Sequence, residues 1–291
     1  MNTFFVIGCP RSGTTFLMNC LEALPYTECL SGISFPVPIA HLAAQQLPEQ
    51  ITHCLEYALE STLNVYLDSV SNSRFRALQS LISGSMGFKE VSTLFQRKRV
   101  LQNLIYKEPF FSFTPEFLCR ALPSCKIIYL YRDGRDCANS LVKSYGVLTD
   151  EKLKILNTSE SSLGYQHQDF WVPWWVESDQ ADNFIQSSSY VRSIWMWKEM
   201  VKRCERFFTQ DDIATSDRVL KIKYEDLACE PLVFGEKIVT YIGTDFDNRL
   251  QKRFAKASVK AVGKYKKRDP LEIEMAEQVA HYELKFYGYL D

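Results

Sequence analysis

The stretch Phe4-Phe-Val-Ile-Gly-Cys-Pro-Arg-Ser-Gly-Thr-Thr-Phe-Leu17 is an apolar run that passes through a glycine turn into a helical pattern. That geometry presents backbone N–H groups and a helix N-terminus to a phosphate. The turn fits the phosphate-loop pattern G-x-x-x-x-G-K-[ST] at Gly8, Gly13 and Thr15, but Thr14 stands where the lysine belongs. A nucleoside triphosphatase uses that lysine to reach the β- and γ-phosphates. A loop whose cation is Arg11, inside the turn, suits a ligand with less phosphate at that end. The expectation is a nucleotide-binding chain that does not hydrolyse a triphosphate.

A second landmark lies downstream. Lys126-Ile-Ile-Tyr-Leu-Tyr131 is a near-continuous apolar run, as in a strand buried on both faces, and it ends at Arg132-Asp-Gly-Arg-Asp136 before a helix through Ser140. Its charged end falls at a strand's carboxyl edge, where open α/β sheets bind ligands. Further strand candidates are Leu104–Lys107 and Arg218–Tyr224. Helical spacing marks Leu17 to Leu24, roughly residues 50–82 and about 185–208, and Thr114-Pro115-Glu116 opens a short helix. The alternation predicts an α/β fold of the P-loop-like, three-layer kind, with a mainly parallel sheet and helices on both faces. One domain over 1–291 is expected. Residues 31–48 read as an irregular connection around a short helix near His41. The segment at about 145–190, with Trp171, Trp174 and Trp175, reads as an insertion: a lid or acceptor-binding element, or one anchored to the core. Trp195 and Trp197 lie on a helical pattern and read as packing residues.

With 46% hydrophobic residues the 291-residue chain has material for a large core, and 34 Lys plus Arg against 35 Asp plus Glu give no general attraction to nucleic acid or anionic membrane. Any anion site must be local. Nine cysteines occur singly, without a C-x-x-C pair, which argues against a disulfide framework and a zinc site. A strand starting a few residues after Met1 leaves no room for a signal peptide, and no apolar run reaches ~18 residues. A soluble, cytoplasmic protein is the expectation.

Together the two landmarks resemble the sulfotransferase family, which moves a sulfuryl group from 3′-phosphoadenosine 5′-phosphosulfate (PAPS) to a hydroxyl or amine. Pro10 to Thr15 match the family's P-[RK]-[SA]-G-T-T loop, which implies that Arg11, Ser12, Gly13, Thr14 and Thr15 grip the 5′-phosphosulfate. Arg132 and Ser140 match the family's R-[DN]-x-[RK]-D-x-x-x-S segment, whose arginine and serine hold the 3′-phosphate. Lys107-Glu-Pro109 is similar to the K-[DT]-P segment, and Lys223-Tyr224-Glu-Asp-Leu227 to a segment whose tyrosine lies near the adenine. Ser258 to Lys266, with Lys264, is similar to a basic loop that closes over the 3′-phosphate. The resemblance implies PAPS as donor, adenosine 3′,5′-bisphosphate (PAP) as product, a small-molecule, lipid or carbohydrate acceptor, and no metal. Arg11 and Lys107 would stabilise charge building on the leaving phosphate.

The proton acceptor does not follow from the motifs. The family's histidine position falls on Pro109, and its glutamate position in Leu30-Ser-Gly-Ile-Ser34 holds no carboxylate. His41 is the first substitute, followed by Glu108 and Glu90; His53, His167 and His281 read as ordinary surface or core histidines. Two rival readings stay open. One is a phosphate-loop kinase with a degenerate loop, using Asp133 to hold magnesium; the other is a nucleotide-binding protein without catalysis.

Overall fold

A computed structural model of the chain describes residues 1–31, 37–45, 47–72, 101–157, 163–214 and 216–291. Strands β1 (Asn2–Ile7), β2 (Thr27–Ser31), β3 (Asn103–Lys107), β4 (Lys126–Tyr131) and β7 (Val219–Lys223) form one sheet in the order β2-β3-β1-β4-β7. Every pairing in it is parallel, with Phe4 opposite Lys126 and Ile105, and Tyr131 opposite Lys223. A separate antiparallel hairpin joins β5 (Gly164–His167) to β6 (Phe170–Pro173).

Side chains alternate across the strands, so the continuous apolar runs require cover on both faces. Phe5, Ile7, Tyr106, Ile127 and Tyr129 pack on one side against Leu59 and Leu63 of α3 (Glu49–Asn72), Phe117 of α4 (Pro115–Ala121) and Phe207 and Phe208 of α8 (Ser189–Phe208). Phe4, Val6, Ile105, Ile128, Leu130 and Ile222 pack on the other against Leu17 and Leu21 of α1 (Thr14–Leu21), Ile238 and Ile242 of α11 (Pro231–Ile242) and Phe254 of α12 (Asn248–Phe254). Each such side chain contributes about 1.5–3 kcal/mol by leaving water. The three-layer arrangement with a mainly parallel sheet is therefore as expected from the two apolar strands.

The chain leaves β1 through α1 toward β2, on one side, and leaves β4 through α5 (Gly134–Tyr145) toward β7, on the other. The carboxyl ends of these adjacent strands thus open a crevice at the point where the winding reverses, and the two landmark loops meet there. The 145–190 segment is made of a short helix at Asp150–Lys154, the hairpin and α7 (Ala181–Gln186). It is anchored: Val172, Trp175, Val176 and Phe184 join a third buried cluster with Cys137, Leu141, Ile194 and Trp197. Among the described residues no helix is long and apolar enough to cross a membrane.

Candidate functional site

The glycine turn is built by close approach. Gly8 has φ 146°, and a Cβ there would stand 2.1 Å from the Leu130 carbonyl oxygen, so β4 leaves room for nothing larger. Gly13 caps α1 with φ 101°, and a Cβ there would meet the Tyr224 ring at 2.4 Å. Between them Arg11 takes φ 75°, a conformation uncommon for a residue with a side chain and one that concentrates at ligand sites. Ser112 Oγ accepts the Gly8 N–H at 2.8 Å, and Cys9 O accepts the Ser12 N–H at 3.0 Å, which holds the turn in place.

The loops converge on one crevice of about 720 Å³. Its lining includes Arg11, Gly13, Thr14, Thr15, Lys107, Arg132, Ser140, Tyr224 and Lys264. Ser12, fully buried, sits beneath the loop. Arg11 donates from Nε to Ser140 Oγ at 2.9 Å and from Nη1 to the Tyr145 hydroxyl at 3.4 Å, so it bridges the two regions expected to hold separate phosphates. Arg132 donates to Arg11 O at 3.0 Å and to Ala261 O at 2.5 Å, and its guanidinium lies 4.6 Å from the centre of the Tyr224 ring. The Trp197 indole N–H in turn holds the Arg132 carbonyl at 3.1 Å, so this packing residue also fixes the strand end.

Among the described residues Arg11, Lys107, Arg132, Lys143 and Lys264 bring five cations to the crevice, against one carboxylate, Asp136. Among the described lining residues Arg132 Nε is buried without a partner; Ser12 Oγ is also buried and unpaired, but Ser12 does not line the crevice. A buried donor or hydroxyl left unpaired costs about 1–3 kcal/mol. Such an arrangement is made for an anion carrying several charges. The lining also includes Asn139, Lys143, Ser144 and Tyr145 from α5 and Phe16 and Asn19 from α1, which the motif reading missed. Their signal was helical spacing: positions 136, 139, 140, 143 and 144 share one face of α5.

The expected proton acceptor lies elsewhere. His41, on α2 (Val37–Ala43), is 7% exposed and does not line the crevice. Its ring lies 5.1 Å from that of Phe110, 5.3 Å from Phe113 and 6.1 Å from Trp174. The Trp174 indole N–H donates to His41 Nδ1 at 3.0 Å, which occupies the nitrogen that would accept a proton. Burial lowers its pKa to about 4. Glu108 does not line the crevice either, but its chain neighbours Lys107 and Pro109 both do. It is 3% exposed, and burial pushes its carboxyl above the ordinary range, against the Phe110 N–H that it accepts at 3.1 Å and the charge of Lys107. Glu90 lies outside the described residues.

Trp174 and Trp175 pack inward, Trp174 onto Phe113 and Arg203 and Trp175 onto Phe113 and Phe184, so they fasten the 145–190 insertion to the core. A larger groove of about 1050 Å³ runs between α3, α4 and α8. Two of its three lining arginines pair within it, Arg120 with Glu56 and Arg203 with Glu199, and no glycine turn reaches it. The smaller crevice is therefore the stronger candidate. Asp133, the acid of the kinase reading, is taken up by Arg135 at 2.8 Å.

The model of the sulfotransferase family matches residues 3–186. Among solved structures the chain is similar to a sulfotransferase domain from the curacin biosynthetic pathway, at 17% identity and TM-score 0.48, over 100% of this chain and 92% of that one. It is also similar to sulfotransferase STF9 from Mycobacterium avium, at 14% identity and TM-score 0.49, over 99% and 77% of the two chains. Mouse sulfotransferase SULT7A1 complexed with PAP is similar at 15% identity and TM-score 0.48, over 98% and 85%. No curated protein matches the chain.

Proposed function

The chain belongs to the sulfotransferase family, and from that premise we propose that it transfers a sulfuryl group from PAPS to a hydroxyl of a small-molecule, lipid or carbohydrate acceptor, with release of PAP. One observation carries the reading. Among the described residues the crevice sets five cations against a single carboxylate, and Arg132 Nε is buried there without a partner. A nucleotide with a 5′-phosphosulfate at one end and a 3′-phosphate at the other would offer an acceptor to Arg132 Nε and anionic oxygens to the cations at both ends. Thr14 in place of the phosphate-loop lysine agrees with a donor that carries no triphosphate.

Bound in this crevice, the donor supplies the sulfuryl group and a phosphate leaving group. The chain's own residues do the rest. The Gly8–Gly13 turn and the α1 N-terminus hold the 5′ end, and Arg11 and Lys107 offer positive charge where negative charge builds on the leaving oxygen. Arg132, Ser140 and Lys264 take the 3′-phosphate, and Tyr224 lies between Arg132 and Gly13, where an adenine would meet it. Ser140 Oγ accepts from Arg11 Nε and keeps its own O–H to donate to the 3′-phosphate, so the two residues can act together. Glu108 is our choice of proton acceptor for the attacking hydroxyl. It follows Lys107 directly, and burial raises its basicity above that of an exposed carboxylate. His41 is a poorer choice because its accepting nitrogen is already bonded.

Titration calorimetry tests the reading, with PAP in the presence of a chelator beside ATP with magnesium. Tight binding of PAP and weak binding of ATP are expected, followed by transfer of labelled sulfate from PAPS in an acceptor screen. The reverse preference would favour the kinase reading. Binding of PAP without turnover on any acceptor would favour a protein that has lost catalysis.

A further inference from the structure

Lys264 is exposed at the crevice, yet the backbone on both sides of it is tied to one buried carboxylate. The Gly263 N–H donates to Asp136 Oδ2 at 2.6 Å, and the Tyr265 N–H donates to Asp136 Oδ1 at 3.0 Å. The same Oδ2 stands 3.4 Å from Arg132 Nη2, which donates to Ala261 O at 2.5 Å. Arg132, Asp136 and residues 261–265 thus form a closed circuit, and the Asp136 side chain within it is 1% exposed. Gly263 completes it with φ 72°, the left-handed turn that aims its N–H inward; an added Cβ would have no neighbour nearer than 3.9 Å, so conformation, not space, selects glycine. Tyr265 is held from its other side by the Arg135 guanidinium, 4.3 Å from the ring centre.

A carboxylate among the residues of an anion crevice repels the ligand, and its burial is tolerated only because both oxygens are paired. Its use must lie in what it holds. We propose that Asp136 is the positioning residue that makes the donor site selective for a 3′-phosphorylated nucleotide, by pinning the backbone on either side of Lys264 and orienting Arg132 beside it. This rests on the donor-site reading above. With the loop docked before the ligand arrives, ordering it costs nothing at binding, and the gain is confined to the phosphate that Lys264 and Arg132 reach.

The test is the ratio of calorimetric dissociation constants for adenosine 5′-phosphate and PAP. It is measured for the native protein, Asp136→Asn, Gly263→Ala, Lys264→Met and the Asp136→Asn/Lys264→Met double variant. Asp136→Asn and Lys264→Met should each lower the ratio by about tenfold or more, while affinity for the monophosphate stays within about threefold. The double variant should lose little more than the worse single one, because Asp136→Asn already removes the placement of Lys264. Gly263→Ala keeps every crevice side chain and should lower the ratio in the same direction; it decides the matter if Asp136→Asn does not fold. An unchanged ratio in Asp136→Asn or Gly263→Ala would overturn the proposal. Equal losses for both nucleotides, the mark of a merely structural role, or additive losses in the double variant would do the same. A native protein that binds both nucleotides equally would instead remove the donor-site reading itself, which separates the two failures.

Discussion

Two regions flank the short segment Pro109–Phe113, and they are built on opposite terms. On one side Pro109 borders the cationic crevice, where Arg132 Nε is buried without a partner. On the other, Phe110 and Phe113 border the aromatic box around His41, where Trp174 takes the imidazole's accepting nitrogen. The crevice is left polar and unfinished, and the box is apolar and complete. A site made for a ligand shows itself by unmet hydrogen-bonding capacity, whereas a titratable group that is already satisfied serves packing.

The sharpest test of that contrast compares the two groups that could accept the hydroxyl proton. Glu108→Gln should reduce kcat by about 10²–10⁴-fold, measured with PAPS and whichever acceptor a screen identifies. The native rate should rise with pH as Glu108 loses its proton, with a midpoint above the ordinary glutamate value of 4.5, and that limb should vanish in the variant. A variant of near-native rate would return the base role to an undescribed residue such as Glu90.

Arg11→Ala comes next, with an expected loss of about 10²–10³-fold in kcat, the scale of removing one donor to developing negative charge. A rise in KM alone would reduce Arg11 to a binding residue. Arg132→Ala should weaken PAP binding about 10–100-fold more than binding of adenosine 5′-phosphate, by calorimetry. Equal losses would count against a separate 3′-phosphate pocket.

The smallest effect on turnover is expected at His41. His41→Gln can still accept from the Trp174 indole and should leave kcat within about threefold of native. The signature of His41 is instead acid stability. Its pKa falls from 6.5 to about 4 on folding, so the unfolded chain binds the extra proton between those values. The contribution of neutral His41 is complete above pH 6.5 and is lost as pH falls toward 4, up to about 3 kcal/mol. Denaturant titrations at pH 7 and pH 4.5 should show that loss in the native protein and a smaller one in His41→Gln.

The sheet's central strands were legible because buried parallel strands are apolar without interruption, as at Lys126–Tyr131 and Phe4–Ile7. β2 was not, since Thr27-Glu-Cys-Leu-Ser31 is a short edge strand with polar residues and carries no such run. The β5–β6 hairpin was hidden for a similar reason: Tyr165 and His167 are only partly covered and Gln166 is exposed, so no apolar face marks the strand. The long helix expected at about 185–208 divides at Ser187 and Ser188, where Ser188 caps α8 through the Val191 N–H.

The candidate anion-binding parts could be read from local sequence, because a glycine turn, a strand end and the helix that follows are local structures whose chemistry lies within a dozen residues. Gly8 to Thr15 and Arg132 to Ser140 needed no knowledge of the rest of the chain. Which of the remaining polar groups join them depends on how distant parts of the chain pack. Lys264 is brought to the crevice by a carboxylate 128 positions earlier in the chain, whose oxygens take the N–H groups of Gly263 and Tyr265. His41 is withdrawn from reach by an indole 133 positions away. Hydrogen bonds of that separation follow from how the layers pack, and spacing along the chain carries no record of them.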